Sequence, residues 1–132
     1  MQVLKFGGTS VGSPDAISKV IDIVSEKIKQ EPVIVVVSAF GGTTDALLHC
    51  GAQAAAGNED YKEQVNAVTA RHLNAVKQLI PVQQQSSMLS AVKKLCNEVE
   101  DLCNGIFLVI SWYDHICYHC VKMPVGCNAN ML

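Results

Sequence analysis

The sequence predicts an α/β fold, and three observations carry that prediction. Two short apolar runs, Gln2–Phe6 and Val33–Val37, have strand character; a helix-periodic segment separates them; and long segments at helical spacing follow. Two strands joined through a helix are expected to lie parallel, with a right-handed crossover.

The first strand is short and apolar and ends at Gly7-Gly8. A loop over 7–13 follows. Ser13-Pro14-Asp15 then opens a helix, with Ser13 as N-cap, Pro14 at the first helical position and Asp15 on the positive end of the dipole. Ile17, Val20, Ile21, Val24 and Ile28 form its apolar face, and Glu31-Pro32 breaks it. Val33–Val37 is an unbroken β-branched run, the pattern of a parallel strand covered on both faces; with two strands in the chain, these apolar faces are expected to be exposed, with marginal stability or self-association as the result. A small, glycine-rich loop over 38–43 comes next. Thr44-Asp45 is placed to cap a helix over 46–56, which Gly57-Asn58 ends.

A further helix is predicted over 60–80, with Tyr61, Val65, Val68, Leu73, Val76 and Leu79 or Ile80 on one side and Pro81 as its stop. Another is predicted over 84–103. Its Met88, Val92, Leu95, Val99 and Leu102 alternate steps of four and three, as in a coiled-coil seam. Two antiparallel helices packed on each other explain this pair, and Asn104-Gly105 is the expected helix stop. His49 and His72 fall on helices without an evident partner, as surface or packing residues. Cys50 and Cys103 read as core thiols rather than nucleophiles.

Composition narrows the function classes. Of 132 residues, 49% are apolar, 17% charged and 5% aromatic, which is a globular profile with enough chain for one core. The formal net charge is -2 and no basic run occurs, which argues against nucleic acid as a partner. No stretch reaches the roughly 18 apolar residues of a membrane helix, and no secretory signal is visible. A cytoplasmic protein with reduced thiols is the resulting expectation.

The most informative segment is Lys5-Phe6-Gly7-Gly8-Thr9-Ser10-Val11-Gly12, between a strand and a helix start. Backbone N–H groups and a helix dipole can hold phosphate there. Glycines permit close approach, Thr9 and Ser10 add hydroxyl donors, and Lys5 would project into the crevice at the carboxyl edge of the sheet. Two common phosphate loops do not fit. The dinucleotide pattern separates its first glycines, whereas Gly7 and Gly8 are adjacent; a Walker loop needs Lys after its last glycine, whereas Ser13-Pro14 follows Gly12. A plain tight turn with Lys5 in solvent is the competing reading.

The run K-F-G-G-T-S-V resembles the signature of aspartate kinases, and the wider amino-acid kinase group shares a looser Lys-x-Gly-Gly. The run Val35-Val36-Val37-Ser38-Ala39-Phe40-Gly41-Gly42-Thr43-Thr44-Asp45 resembles that family's next motif, V-V-S-A followed by a short loop and Thr-Asn or Thr-Asp. The two later helices resemble the family's helical insertion, so the likeness covers residues 1–105. It implies the three-layer αβα amino-acid kinase fold, ATP as phosphoryl donor, L-aspartate as acceptor at its β-carboxylate, and Mg²⁺. The product starts synthesis of lysine, threonine, methionine and isoleucine. By this resemblance Lys5 is catalytic and neutralises the transferring group. Gly7 and Gly8 bind phosphate oxygens with Thr9 and Ser10 as auxiliary donors, and Ser38 and Thr44 line the aspartate site. A homo-oligomeric full-length parent is implied, either monofunctional or fused to a homoserine dehydrogenase.

Beyond residue 105 the character changes. Segment 106–132 holds two charged side chains, Asp114 and Lys122, with the single Trp, two of three Tyr and three of six Cys, and no clean period. The family pattern continues with Ser-x-Gly-Glu, where this chain has Val109-Ile110-Ser111-Trp112-Tyr113-Asp114; the later Arg-x-Gly-Ser-Asp segment is also absent. The expectation is an inactive, truncated kinase whose tail from about Leu108 is out of frame or otherwise non-native. The alternatives are a residual phosphate- or aspartate-binding module, and an interaction fragment using the 88–102 seam. A tail zinc site would draw on His115, Cys117, His119, Cys120 and Cys127, though the second half of that pattern is irregular.

Overall fold

β1 (Gln2–Phe6) and β2 (Val33–Val37) pair in parallel, Gln2 opposite Val33 through to Phe6 opposite Val37. The computed structural model describes the backbone of residues 1–122 and the side chains of residues 1–113. The crossover is α1 (Pro14–Lys27), which begins where the sequence places it. Ser13 is extended and its Oγ accepts from the Ala16 N–H at 3.2 Å, with Asp15 in the first turn and Lys27 in the last.

The register assigns faces. Leu4 and Phe6 share one face with Val35 and Val37, and Val3 and Lys5 share the other with Ile34 and Val36. Ile17, Val20 and Val24 of α1 lie over the first face and bound an open apolar groove with Val35 and Val37. β2 is exposed on both faces, Ile34 and Val36 at 47% and 44% and Val35 and Val37 at 40% and 59%, because α1 leaves the groove beside it open. The apolar faces of this strand are thus left largely uncovered, as expected for a chain with two strands.

The chain then forms α2 (Thr43–Ala55), α3 (Tyr61–Leu79) and α4 (Val82–Lys122). The buried core cluster of the described residues lies among these helices: Cys50, Ala54, Tyr61, Val65 and Cys103, with Val99 and Phe107 against them. α2 starts ahead of the Thr44-Asp45 cap expected from sequence. Its N-cap is Gly42, whose φ of 78° is the left-handed conformation glycine adopts without strain.

Pro81 stops α3 as expected, and Gln85 Nε2 donates to the carbonyls of Lys77 and Ile80 at 3.0 and 2.7 Å. At the other end the Tyr61 hydroxyl donates to Asn104 Oδ1 at 3.4 Å, so α3 and α4 run antiparallel. The expected seam is divided between two directions. Val92, Cys96 and Val99 are half-buried, whereas Met88, Leu95 and Leu102 are exposed, Leu95 also lining the apolar cavity that Val92, Cys96 and Val99 bound.

The predicted stop at Asn104-Gly105 is a correction. α4 passes through both residues, and Gly105 does not take a positive φ. Glycine inside a helix costs about 1 kcal/mol relative to alanine. Cys103 and Phe107, on either side, pack on the core, and the Asn104 side chain bonds Tyr61 instead of capping the helix. The segment without a clean period therefore continues as helix to Lys122. No helix among the described residues is long and apolar enough to cross a membrane. Of the proposed zinc ligands, Cys127 lies outside the described residues, as do the side chains of His115, Cys117, His119 and Cys120.

Candidate phosphate and substrate loops

β1 and β2 are parallel, so the loops after them leave the same edge of the sheet. The Ser38 N–H donates to Phe6 O at 3.0 Å, which carries the strand pairing one residue further. The Gly41 N–H then donates to Gly8 O at 3.0 Å and ties the loop over 38–42 to the loop over 7–13.

The first loop is wound on itself. Ser10 N–H and Val11 N–H both donate to Gly7 O, at 2.9 and 3.3 Å, and Gly12 N–H donates to Thr9 O at 3.3 Å. A Cβ on Gly8 would come within 3.3 Å of Ala39 O and Gly41 Cα, and one on Gly41 within 3.1 Å of Gly8 O. These two glycines are required by the approach of one loop to the other. The N–H groups of Gly7, Gly8 and Thr9 donate to no backbone carbonyl among the described residues. Such groups form a concave set of partial positive charges when they face a common point.

Lys5 and Ser38 stand exposed at the carboxyl ends of β1 and β2, and Thr9 and Ser10 are exposed on the first loop. Thr44 is exposed in the first turn of α2, while its neighbour Thr43 is buried with Oγ1 unpartnered. Gly42 offers no side chain to cap α2, so the amides of its first turn keep no side-chain acceptor. The structure thus gathers the predicted residues onto two loops joined at one sheet edge.

Sequence reasoning missed what braces these loops. Arg71, on α3, donates from Nη1 to Gly41 O at 2.8 Å and from Nη2 to Gly12 O at 2.7 Å. Its Cζ lies 5.4 Å from the Phe40 ring centroid. His72 is a packing residue, as expected, with partners that the sequence did not make evident. Its ring stacks on Phe40 at 4.6 Å and 12°, and its Nδ1–H donates to Val68 O at 2.7 Å. His49 Nδ1 pairs with Gln64 Oε1 at 2.8 Å. The adjacent Arg71-His72 on a polar helix face carried no motif to single it out. Behind them lies an apolar cavity of about 200 Å³, lined by residues that include Thr43, Leu47, Val68, His72, Val92 and Val99.

Cys50 and Cys103 are core thiols, as expected. Burial pushes both above the usual thiol range, and the neighbouring Cys103 raises Cys50 further.

The amino acid kinase family profile matches residues 1–106. Aspartokinase 1, chloroplastic, of Arabidopsis thaliana is 32% identical over 110 residues, which are 81% of this chain and 18% of that protein. The aspartokinase of Geobacillus stearothermophilus is 52% identical over 52 residues, 39% of this chain and 13% of that protein. The bifunctional aspartokinase/homoserine dehydrogenase 1, chloroplastic, of Zea mays is 27% identical over 106 residues, 80% of this chain and 11% of that protein. The chain therefore spans less than a fifth of the length of these curated relatives. Over the two loops and the helices that brace them, the chain belongs to the amino acid kinase family, as an aspartokinase N-terminal segment.

Proposed function

We propose that these residues supply the phosphate-holding and aspartate-holding loops of an aspartate kinase, which transfers the γ-phosphoryl group of ATP to the β-carboxylate of L-aspartate. A carboxylate oxygen attacks the γ-phosphorus, the bond from that phosphorus to the β,γ-bridging oxygen breaks, and ADP leaves with 4-phospho-L-aspartate as the other product. Positioning and charge neutralisation do most of the work in such a transfer. Lys5 neutralises the phosphoryl oxygens, the Gly7 and Gly8 amides donate to them, and Thr9 and Ser10 add hydroxyls. Ser38 and Thr44 hold aspartate, with the first turn of α2 favouring a carboxylate beside it.

The observation that carries this reading is the hydrogen bond from Gly41 N–H to Gly8 O, which sets the two loops side by side. The reading includes Mg²⁺, a cytoplasmic setting and an oligomeric full-length kinase. No group of three or more His, Cys, Asp or Glu side chains among the described residues is placed to hold a metal. Mg²⁺ in such reactions is held largely by the phosphates of the nucleotide with one or two carboxylates, and none of the roles above depends on it.

A second reading has its own observation. Met88, Leu95 and Leu102 are 45%, 62% and 69% exposed at seven-residue spacing on α4, a stripe a partner helix would cover. Titration calorimetry of the 132-residue chain with ATP and with L-aspartate separates the two. The kinase-loop reading predicts heat with each ligand and loss of the ATP signal in Lys5→Ala. Absence of both signals, with helix-mediated association unaffected by Lys5→Ala, would favour the second reading.

A further inference from the structure

Arg71 projects from α3, which supplies none of the ligand-facing residues named above, yet it reaches both loops at once. Its two terminal nitrogens donate to carbonyls 29 positions apart in sequence, Gly12 O closing the first loop and Gly41 O in the second. The guanidinium is planar, so two bonds from one fork fix the separation of the carbonyls that accept them. A lysine ammonium on a flexible stem does not impose that separation. Phe40, in contact with both the Arg71 guanidinium and the His72 ring, holds the second loop against the same helix. The two loops approach closely, since a Cβ on Gly41 would meet Gly8 O at 3.1 Å.

We infer that Arg71 is a positioning residue that sets the distance between the phosphate loop and the aspartate loop, acting through Gly12 and Gly41 without touching either ligand. This rests on the proposed reading of the two loops. It assigns α3 a function beyond packing: the helical layer behind the sheet edge dictates how far apart donor and acceptor are held. A change of about 1 Å in that spacing is enough to cost a transfer reaction a hundredfold.

The test compares the ¹⁵N-labelled 132-residue chain with Arg71→Met and Arg71→Lys. Amide exchange of Gly41, whose N–H bonds Gly8 O, is expected to quicken by about tenfold or more in Arg71→Met, the loss anticipated for charge-assisted bonds. Val65 and Val76 amides in α3 should stay within about twofold of the parent, showing that the helix persists. Arg71→Lys should not restore Gly41, whereas a purely structural need for a long cationic stem would be met by lysine. Adding L-aspartate should shift Ser38, Thr44, Gly8 and Gly12 in the parent, and only Ser38 and Thr44 in Arg71→Met.

Unchanged Gly41 exchange in Arg71→Met, or full restoration by lysine, overturns the inference. Should Arg71→Met fail to fold, the parent chain decides. Resolved, slowly exchanging Arg71 Nη protons are expected, and freely rotating ones would overturn the clamp. If aspartate and ATP shift no amide at all, the reading of the loops as ligand sites fails, while the exchange comparison still decides what Arg71 does.

Discussion

Tyr61 is fully buried between α2, α3 and α4, and its ring lies 6.0 Å from that of Phe107. Truncation to alanine would leave a large cavity, so Tyr61→Ala is expected to cost about 3–5 kcal/mol by denaturant unfolding. Tyr61→Phe removes only the long bond to Asn104 and should cost about 1 kcal/mol or less. Cys50 sets a pH dependence. Its folded pKa is raised, so the folded state holds its proton more tightly than the unfolded chain does. Its contribution is fully present below the ordinary thiol pKa near 9.0 and is lost as pH rises through the folded value. Unfolding midpoints should fall on the alkaline side of pH 9.0, and Cys50→Ala should flatten that fall. The loop carrying Lys5, Gly7 and Gly8 was singled out because it follows a recognisable strand, and Ser38 and Thr44 because they match the family's second motif. Arg71 was not, because what it bonds are backbone carbonyls, which carry no residue signature.

Among the elements, α1 was read almost residue for residue, since Ser13, Pro14 and Asp15 act locally on the helix they start. α4 was misread at one point, and for a tertiary reason: whether Asn104-Gly105 stops a helix depends on what Cys103 and Phe107 pack against. A substitution tests that correction. An added Cβ at Gly105 meets nothing within 4 Å, and the backbone there is not left-handed. Gly105→Ala is therefore expected to stabilise the chain by about 1 kcal/mol. A glycine at a left-handed cap would instead lose stability on that change. The same logic separates Gly42, whose φ of 78° makes alanine unfavourable and whose replacement should loosen the start of α2.

The described residues divide into a packed helical half and a two-stranded sheet whose second strand is exposed on both faces. Val3, Ile34 and Val36 leave an apolar strip beside open strand edges, a surface that invites pairing with another chain. Sedimentation should show self-association that rises with concentration, and Val36→Lys should reduce it. A sharp, cooperative melt of a strict monomer would count against this. The strands, their order and the exposure of Val33–Val37 were legible in the sequence, because an unbroken β-branched run needs cover on both faces and two strands with one crossover helix cannot supply it. The central claim is that the loops after β1 and β2 form one composite site. Amide shift mapping of the ¹⁵N-labelled chain during separate titrations with ATP and L-aspartate tests it most directly. The account predicts saturable shifts centred on Lys5, Gly7, Gly8 and Thr9 with ATP, and on Ser38 and Thr44 with aspartate, each spreading across the Gly8–Gly41 bond to the other loop. Shifts confined to α4, or none at either loop at millimolar ligand, would contradict it.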